Sequence, residues 1–274
     1  MNQKKELLLK SLSKSIERLV EKREYVPVSF SGGIDSYIVA ALVKKYSNPI
    51  LYTIGNERSK DLFYSKIASE SLECPLEIII LSDEDIIKGI QETIEIIRSD
   101  NSLDVLIGST FYLIAKRIKQ DNFDICISGQ GADELFFGYD KYRRALAKGE
   151  NPTDLRNRDV AELGDILSKR EYKIFGSFDI RFLSPFLDDE VKKIGIQIER
   201  EYNLKSSDDD LRKHNLREIA LELGGPPEII NRKKKALQYG SGILEDVRRI
   251  SKEKGLAPSL NAYLESIKKG IEYK

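Results

Sequence analysis

Ser31-Gly32-Gly33-Ile34-Asp35-Ser36 is the stretch that decides the fold. It follows Val26-Pro27-Val28-Ser29-Phe30, whose apolar alternation predicts a strand. It precedes Tyr37-Ile38-Val39-Ala40-Ala41-Leu42-Val43, which predicts a buried helix. The six residues therefore form a strand-to-helix turn of small and hydroxylic side chains. Such a turn aims main-chain N–H groups and the positive end of a helix at one spot. Glycines let a bulky anion approach the main chain there. Ser31 and Ser36 add hydroxyl donors, and Asp35 can hold a metal ion that screens the anion's charge. The Lys of a Walker-type loop is absent, so this is a different phosphate grip.

Working outward, further strands are predicted at residues 49–54, 76–81 and 123–128, each preceded by a helical stretch. Ser82-Asp83-Glu84-Asp85 reads as a helix start. This alternation implies right-handed crossovers and an α/β fold: a parallel twisted sheet with helices on both faces. Ligands of such sheets bind beyond the carboxyl ends of the strands. The turn at Ser31 lies at one such end, and Ser128-Gly129-Gln130-Gly131-Ala132-Asp133-Glu134 lies at another. The two turns are expected to face one crevice. From about Lys148 onward strand-like alternation fades and charged helical stretches dominate. The expectation is a single domain over residues 1–274, with an α/β core at 1–147 and a mostly helical lobe at 148–274 that completes the site.

The chain has 274 residues, 41% hydrophobic and 33% charged, as a globular protein with a sizeable core has. Its 45 basic and 45 acidic residues cancel, which argues against a broad nucleic-acid-binding surface. Cys74 and Cys126 have no zinc-site spacing and read as small buried hydrophobes in a reducing compartment. No apolar run reaches membrane-spanning length and the N-terminus lacks a signal-peptide core, so the cytoplasm is the expected location. Asp208-Asp209-Asp210 reads as a solvated helix start rather than a metal cluster, and His214, the sole histidine, has no histidine partner for a metal site.

The spelling S-G-G-x-D-S resembles the pyrophosphate-gripping loop of the N-type ATP pyrophosphatases (the PP-loop superfamily), whose members split ATP into AMP and pyrophosphate. The run from Ser128 to Tyr139 resembles the S-G-E-G-A-D-E-L-F-G-G-Y signature of asparagine synthetases. Pro185-Phe186-Leu187-Asp188 resembles that family's V-P-F-L-D, and Arg232-Lys233-Lys234-Lys235, followed by Gln238 to Gly242, resembles its late R-x-K segment. The resemblance covers roughly residues 26–245 and extends to the related β-lactam synthetases. It implies an adenine nucleotide alpha hydrolase-like fold that binds ATP and Mg2+. The nucleotide would lie on Ser29, Phe30, Ser31, Gly32, Gly33, Asp35, Ser36, Ile54, Gly55, Ser128 and Gly129, with Asp35 and Asp133 as magnesium ligands. Lys234 would meet the reacting phosphate. In this family a carboxylate attacks the α-phosphorus of ATP, and an amine then attacks the acyl-adenylate; the small-molecule carboxylate best fitting the resemblance is aspartate.

Three departures bear on the substrates. Position 2 is Asn rather than the nucleophilic Cys that opens the family's glutaminase domain. Nitrogen is therefore expected from free ammonia, a substrate amine or a separate glutaminase subunit. Gln130 replaces a Glu that handles the amine, and a Gln cannot act as a base at neutral pH. The arginine before P-F-L-D is Leu183 here, with Arg181 two positions earlier; Asp165 and Glu171 are the nearest matches to a family acidic residue. Lys234, Gln130 and Glu171 are thus the expected catalytic residues. The alternatives are a PP-loop enzyme modifying tRNA, and an ATP-binding protein that has lost synthetase activity. The oligomeric state is left open, a homodimer included.

Overall fold

The computed structural model describes residues 2–234, 237–253, 261, 264–267 and 270. Helix α1 (Asn2–Val20) leads into β1 (Tyr25–Ser29), followed by α2 (Ile34–Val43), β2 (Asn48–Gly55), α3 (Lys60–Leu72) and β3 (Leu76–Ile80). Then come α4 (Asp83–Ile97), α5 (Ser102–Gln120), β4 (Ile125–Ile127), α6 (Ala132–Leu135), α7 (Asp140–Ala147), α8 (Pro152–Lys169) and α9 (Glu171–Gly176). Strand β5 (Arg181–Leu183) precedes α10 (Asp189–Gln197), α11 (His214–Glu222), α12 (Pro227–Ile230), α13 (Leu237–Gly240) and α14 (Ile243–Glu253). Helix starts are set by side-chain caps: Ser59, Ser82, Asn101 and Asn151 each accept from a first-turn N–H.

The sheet is wholly parallel, in the order β3-β2-β1-β4-β5. Period-two alternation divides its side chains between two cores. Val26, Val28, Leu51, Ile125 and Ile127 face a core shared with α1, α2, α10 and α11. Tyr52, Ile54, Cys126 and Phe182 face the other, built with α4, α5, α9 and α14. Helices thus cover both faces, as the alternation predicted. Nine of the ten residues of α2 are buried, which is why its sequence is apolar all round from Tyr37 onward.

The structure differs from the sequence reading in three places. Strand β4 is three residues long rather than six. A fifth strand, Arg181–Leu183, comes from the stretch expected to be helical and pairs with β4, so the sheet reaches across the boundary expected at residue 147. Three residues are too few for alternation to register; their pairing with β4 makes them a strand. Cys74 is half-buried, unlike Cys126, and both are free thiols. Among the described residues no helix is long and apolar enough to cross a membrane.

Candidate active site

Sequentially built strands run outward from β1 to β3 on one side, and β4 and β5 lie on the other. The order therefore reverses between β1 and β4, where a crevice opens at the strands' carboxyl ends. The turn after β1 lines one side. Gly32 has φ +65°, and a Cβ there would lie 2.5 Å from the main chain of Tyr64 and Ser65, so only glycine fits. Gly33 caps α2, and Ser36 Oγ donates to the Gly33 carbonyl (3.1 Å) while accepting weakly from Ser31 N–H (3.4 Å). The turn after β4 lines the other side and leads into α6, which carries Asp133.

The two turns meet on one cation. Lys213 Nζ lies 2.6 Å from Asp35 Oδ2 and 2.6 Å from Asp133 Oδ1, and Lys234 Nζ lies 2.6 Å from Asp133 Oδ2. Burial alone would push the Asp133 carboxyl up, but the two ammonium groups outweigh it and hold it below the usual carboxylate range. Burial likewise opposes the charge on Lys234, yet Asp133 and Asp35 raise its pKa above the ordinary lysine value. Asp35 Oδ1 is buried without a hydrogen bond, and Asp133 Oδ1 touches Lys213 without a well-directed one. Two carboxylates on facing turns, with an oxygen left over, suit a hard divalent cation. Among the described residues no group of three His, Cys, Asp or Glu could hold a metal. Mg2+ would therefore need phosphate or water oxygens to complete its shell.

Arg232 fixes the first turn. It donates to the Ser31 carbonyl and to Asp61, and its guanidinium lies 4.3 Å from the centre of the Tyr64 ring. Arg217 spends its donors on the carbonyls of Leu211, Arg212, Ile230 and Arg232, and burial lowers its pKa to about 10. These bonds tie the turn before α11 to the segment carrying Lys234. A small void of about 40 Å³ remains, lined by Ser31, Gly33, Asp35, Lys213, Arg232 and Lys234 among others. Its wall is basic and suits an anion. Lys233 instead pairs with Asp210 at 2.8 Å with its side chain 69% exposed. Lys235 lies outside the described residues.

Beyond Asp133 and Lys234 opens a cavity of about 970 Å³. Gln130, Glu134, Arg170, Lys173 and Gln238 line it, with Leu163 and Leu167 supplying an apolar side. Gln130 Nε2 donates to Glu171 Oε1 at 3.1 Å. Glu171 is fully buried behind Gln130 and takes two further bonds from Arg170, at 3.1 and 2.8 Å. Burial pushes its carboxyl up, against the opposing pull of Arg170. Asp165 and Arg181 are exposed and do not line the cavity. The guanidinium on the cavity wall beside Gln130 and Glu171 is Arg170, held by Asp104 and Glu171; Arg98 also lines the cavity.

The other expected nucleotide contacts sit where the strands end. Phe30 N–H is committed to the Tyr52 carbonyl (2.8 Å) and Ser128 N–H to the Leu183 carbonyl (2.9 Å). Ser29 closes β1, Ile54 and Gly55 close β2 beside it, and Gly129 opens the second turn. Asp209 receives the N–H groups of Lys205, Leu211 and Arg212 and lies 2.9 Å from His214 Nε2, so the acidic run caps a turn. The sequence reading gave no role to Lys213, Arg217 or Arg170. The one signal in the chain was an arginine and a lysine, Arg212-Lys213, one residue beyond three aspartates.

Comparison with known proteins finds relatives that share a family name. A provisionally named asparagine synthetase (glutamine-hydrolysing) 1 of Methanocaldococcus jannaschii is 27% identical over 300 residues, covering 97% of this chain and 55% of the relative. Asparagine synthetase (glutamine-hydrolysing) 1 of Lotus japonicus is 27% identical over 219 residues, covering 74% of this chain and 37% of the relative. The chain thus spans about half or less of the length of these relatives. A solved structure described as a predicted subunit of a tRNA methyltransferase from Methanocaldococcus jannaschii is 20% identical, covers 75% of this chain and 91% of its own, and superposes with a TM-score of 0.34, too loose to carry an argument. Residues 7–175, which hold both glycine turns and the wall around Gln130, match the family described as asparagine synthase, and to that family the chain belongs.

Proposed function

We propose that the protein activates a carboxylate with ATP, releasing pyrophosphate, and passes the acyl group to ammonia or another amine. The observation that carries this reading is the meeting of Asp35 and Asp133 on one ammonium where β1 and β4 part. Main-chain N–H groups of the Ser31–Gly33 turn and the start of α2 hold phosphate oxygens, and Arg232 keeps that turn in place. Mg2+ held by Asp35 and Asp133 would screen the triphosphate. Lys234, on the cavity wall, stabilises the charge that builds on the α-phosphate as the adenylyl group passes to the carboxylate. Gln130, fixed by Glu171, orients the amine but cannot take its proton. Glu134 on the same wall, with Oε2 unpartnered, can once it has lost its own proton.

Aspartate is the first acceptor to try. The cavity, about 970 Å³, also admits larger acids, and Arg170 and Lys173 offer them anchors. The test mixes protein, labelled ATP, Mg2+ and a panel of carboxylates with ammonia. Pyrophosphate and AMP in equal amounts with one of the acids are expected. No pyrophosphate with any acid, together with no ATP binding, refutes the proposal. Binding without pyrophosphate would point to a nucleotide-binding protein instead.

A further inference from the structure

The positive charge between Asp35 and Asp133 comes from the chain itself. Lys213 is 3% exposed, and its ammonium reaches both carboxylates at 2.6 Å. Its backbone is bent for the purpose: Arg212 and Lys213 are successive non-glycine residues at φ +54° and +52°, a conformation L side chains rarely take. Arg212 holds the bend by donating to the Gly138 carbonyl at 3.0 Å, just past the second turn. Lys234 adds a second cation on the other oxygen of Asp133. Two carboxylates and two ammonium groups are therefore neutral together. A lone divalent cation entering between the carboxylates would leave an excess of two positive charges in a buried site. Only a cation that brings its own anion avoids that excess.

We propose that Lys213 occupies the metal position in the nucleotide-free protein, bars a lone divalent cation from Asp35 and Asp133, and yields when the cation arrives with a triphosphate. The inference rests on the ATP reading above and adds an ordering to it: metal and nucleotide bind as one ligand. The phosphates then receive the displaced ammonium, since Lys213 also lines the small basic void beside the Ser31 turn. Lys234 touches only one of the two carboxylates and does not bridge them.

The test follows Mn2+ binding by the loss of its free electron paramagnetic resonance signal. It uses the full chain and the variants Lys213→Met, Lys213→Arg and Lys234→Met, each with and without α,β-methylene-ATP. Without nucleotide, Lys213→Met is expected to bind Mn2+ at least tenfold more tightly than the wild type. Lys213→Arg keeps the charge and is expected to exclude Mn2+ as the wild type does. Lys234→Met is expected to gain less, because the bridge remains. Equal Mn2+ affinity in Lys213→Met and wild type overturns the proposal, and so does an equal gain in Lys234→Met, which would reduce the effect to net charge. Should Lys213→Met fail to fold, Lys213→Gln, which loses the charge but keeps a polar tip, is read by the same criteria. Failure of the wild type to bind Mn2+ with the nucleotide analogue would sink the ATP reading instead, and the nucleotide-free arms would still decide the role of Lys213.

Discussion

Gly138→Ala is the sharpest probe of how the site is assembled. Gly138 is buried, and a Cβ built on it would lie 2.0 Å from Asp133 Oδ1, 2.1 Å from Lys213 Cε and 2.9 Å from Asp133 Cα. Ordinary non-bonded contact is about 3.5 Å, so the carboxylate and the lysine stem must each give by about 1.5 Å. The main chain cannot retreat instead. Gly138 N–H donates to the Asp133 carbonyl at 2.8 Å, and its carbonyl accepts from Arg212 at 3.0 Å. Overpacking of this kind costs about 1–3 kcal/mol. Opening the Asp133–Lys213 pair from 2.6 Å to about 4 Å, at an effective dielectric of about 20, removes about 2 kcal/mol of attraction. The two figures describe one displacement and do not add. A fall in Tm of about 2–5 °C follows for a chain of this size. Binding of Mg2+ with α,β-methylene-ATP, measured by calorimetry, should weaken at least about tenfold, since 1.4 kcal/mol suffices for that. A Gly138→Ala protein with the Tm and nucleotide affinity of the wild type would refute the packing argument. Gly164→Ala is the matched control. Gly164 lies inside α8 with open space where a Cβ would go, and alanine there should stabilise by about 0.5–1 kcal/mol and leave binding alone.

Asp61→Ala leaves the buried Arg232 guanidinium without its carboxylate and should cost about 3–5 kcal/mol in a denaturant titration; a loss under about 1 kcal/mol would show that the pair is not what holds Arg232. Glu134 and Asp133 should titrate in opposite senses. Burial and the charge of Asp133 hold the Glu134 carboxyl above its ordinary 4.5, so the folded chain keeps a proton that the unfolded chain has lost. That contribution is full below pH 4.5 and disappears as pH rises through the raised value. Relative to wild type, the Tm of Glu134→Gln should therefore climb as pH rises above 4.5, and a difference flat with pH would contradict the burial argument. Asp133 is held below its ordinary 3.8, so its contribution is present above that value and lost as pH falls through the lowered one. The destabilisation in Asp133→Asn should shrink in acid, and a deficit unchanged between pH 6 and pH 3 would count against the lysine pairing.

What could be read from the sequence was what the chain states locally. The strand-turn-helix at Ser31 and the turn at Ser128 are each written in one unbroken stretch of sequence, and the caps at Ser59 and Ser82 stand immediately before their helices. Cys126 and its neighbours Ile125 and Ile127 carry the two-sided alternation of a buried strand. Strand β5 carries no such signal, because three residues that include an exposed Arg181 form a strand only once β4 is there to pair with. Lys213 was illegible for a related reason. Its approach to Asp35 depends on two left-handed residues and on an arginine bond to Gly138, 74 positions earlier. Arg170 likewise acquires its place from Asp104, 66 positions away.

The helical second half does more than cover the crevice. Parallel strands β1 and β4 are neighbours, so the residues opening α2 and α6 converge, and both helices place an aspartate in the first turn. Favourable toward each helix dipole, the two charges repel each other once buried. The sheet that makes the crevice therefore cannot hold it closed by itself. The compensating charge comes from Lys213 at the head of α11 and Lys234 after α12. Arg217, on α11, binds the carbonyls of Ile230 and Arg232 and so makes those two segments one unit. Severing that link should loosen both lysines together. Arg217→Met is then expected to weaken nucleotide binding although its guanidinium is committed to main-chain carbonyls. Unchanged binding in a folded Arg217→Met protein would mean that each lysine is placed by its own segment alone.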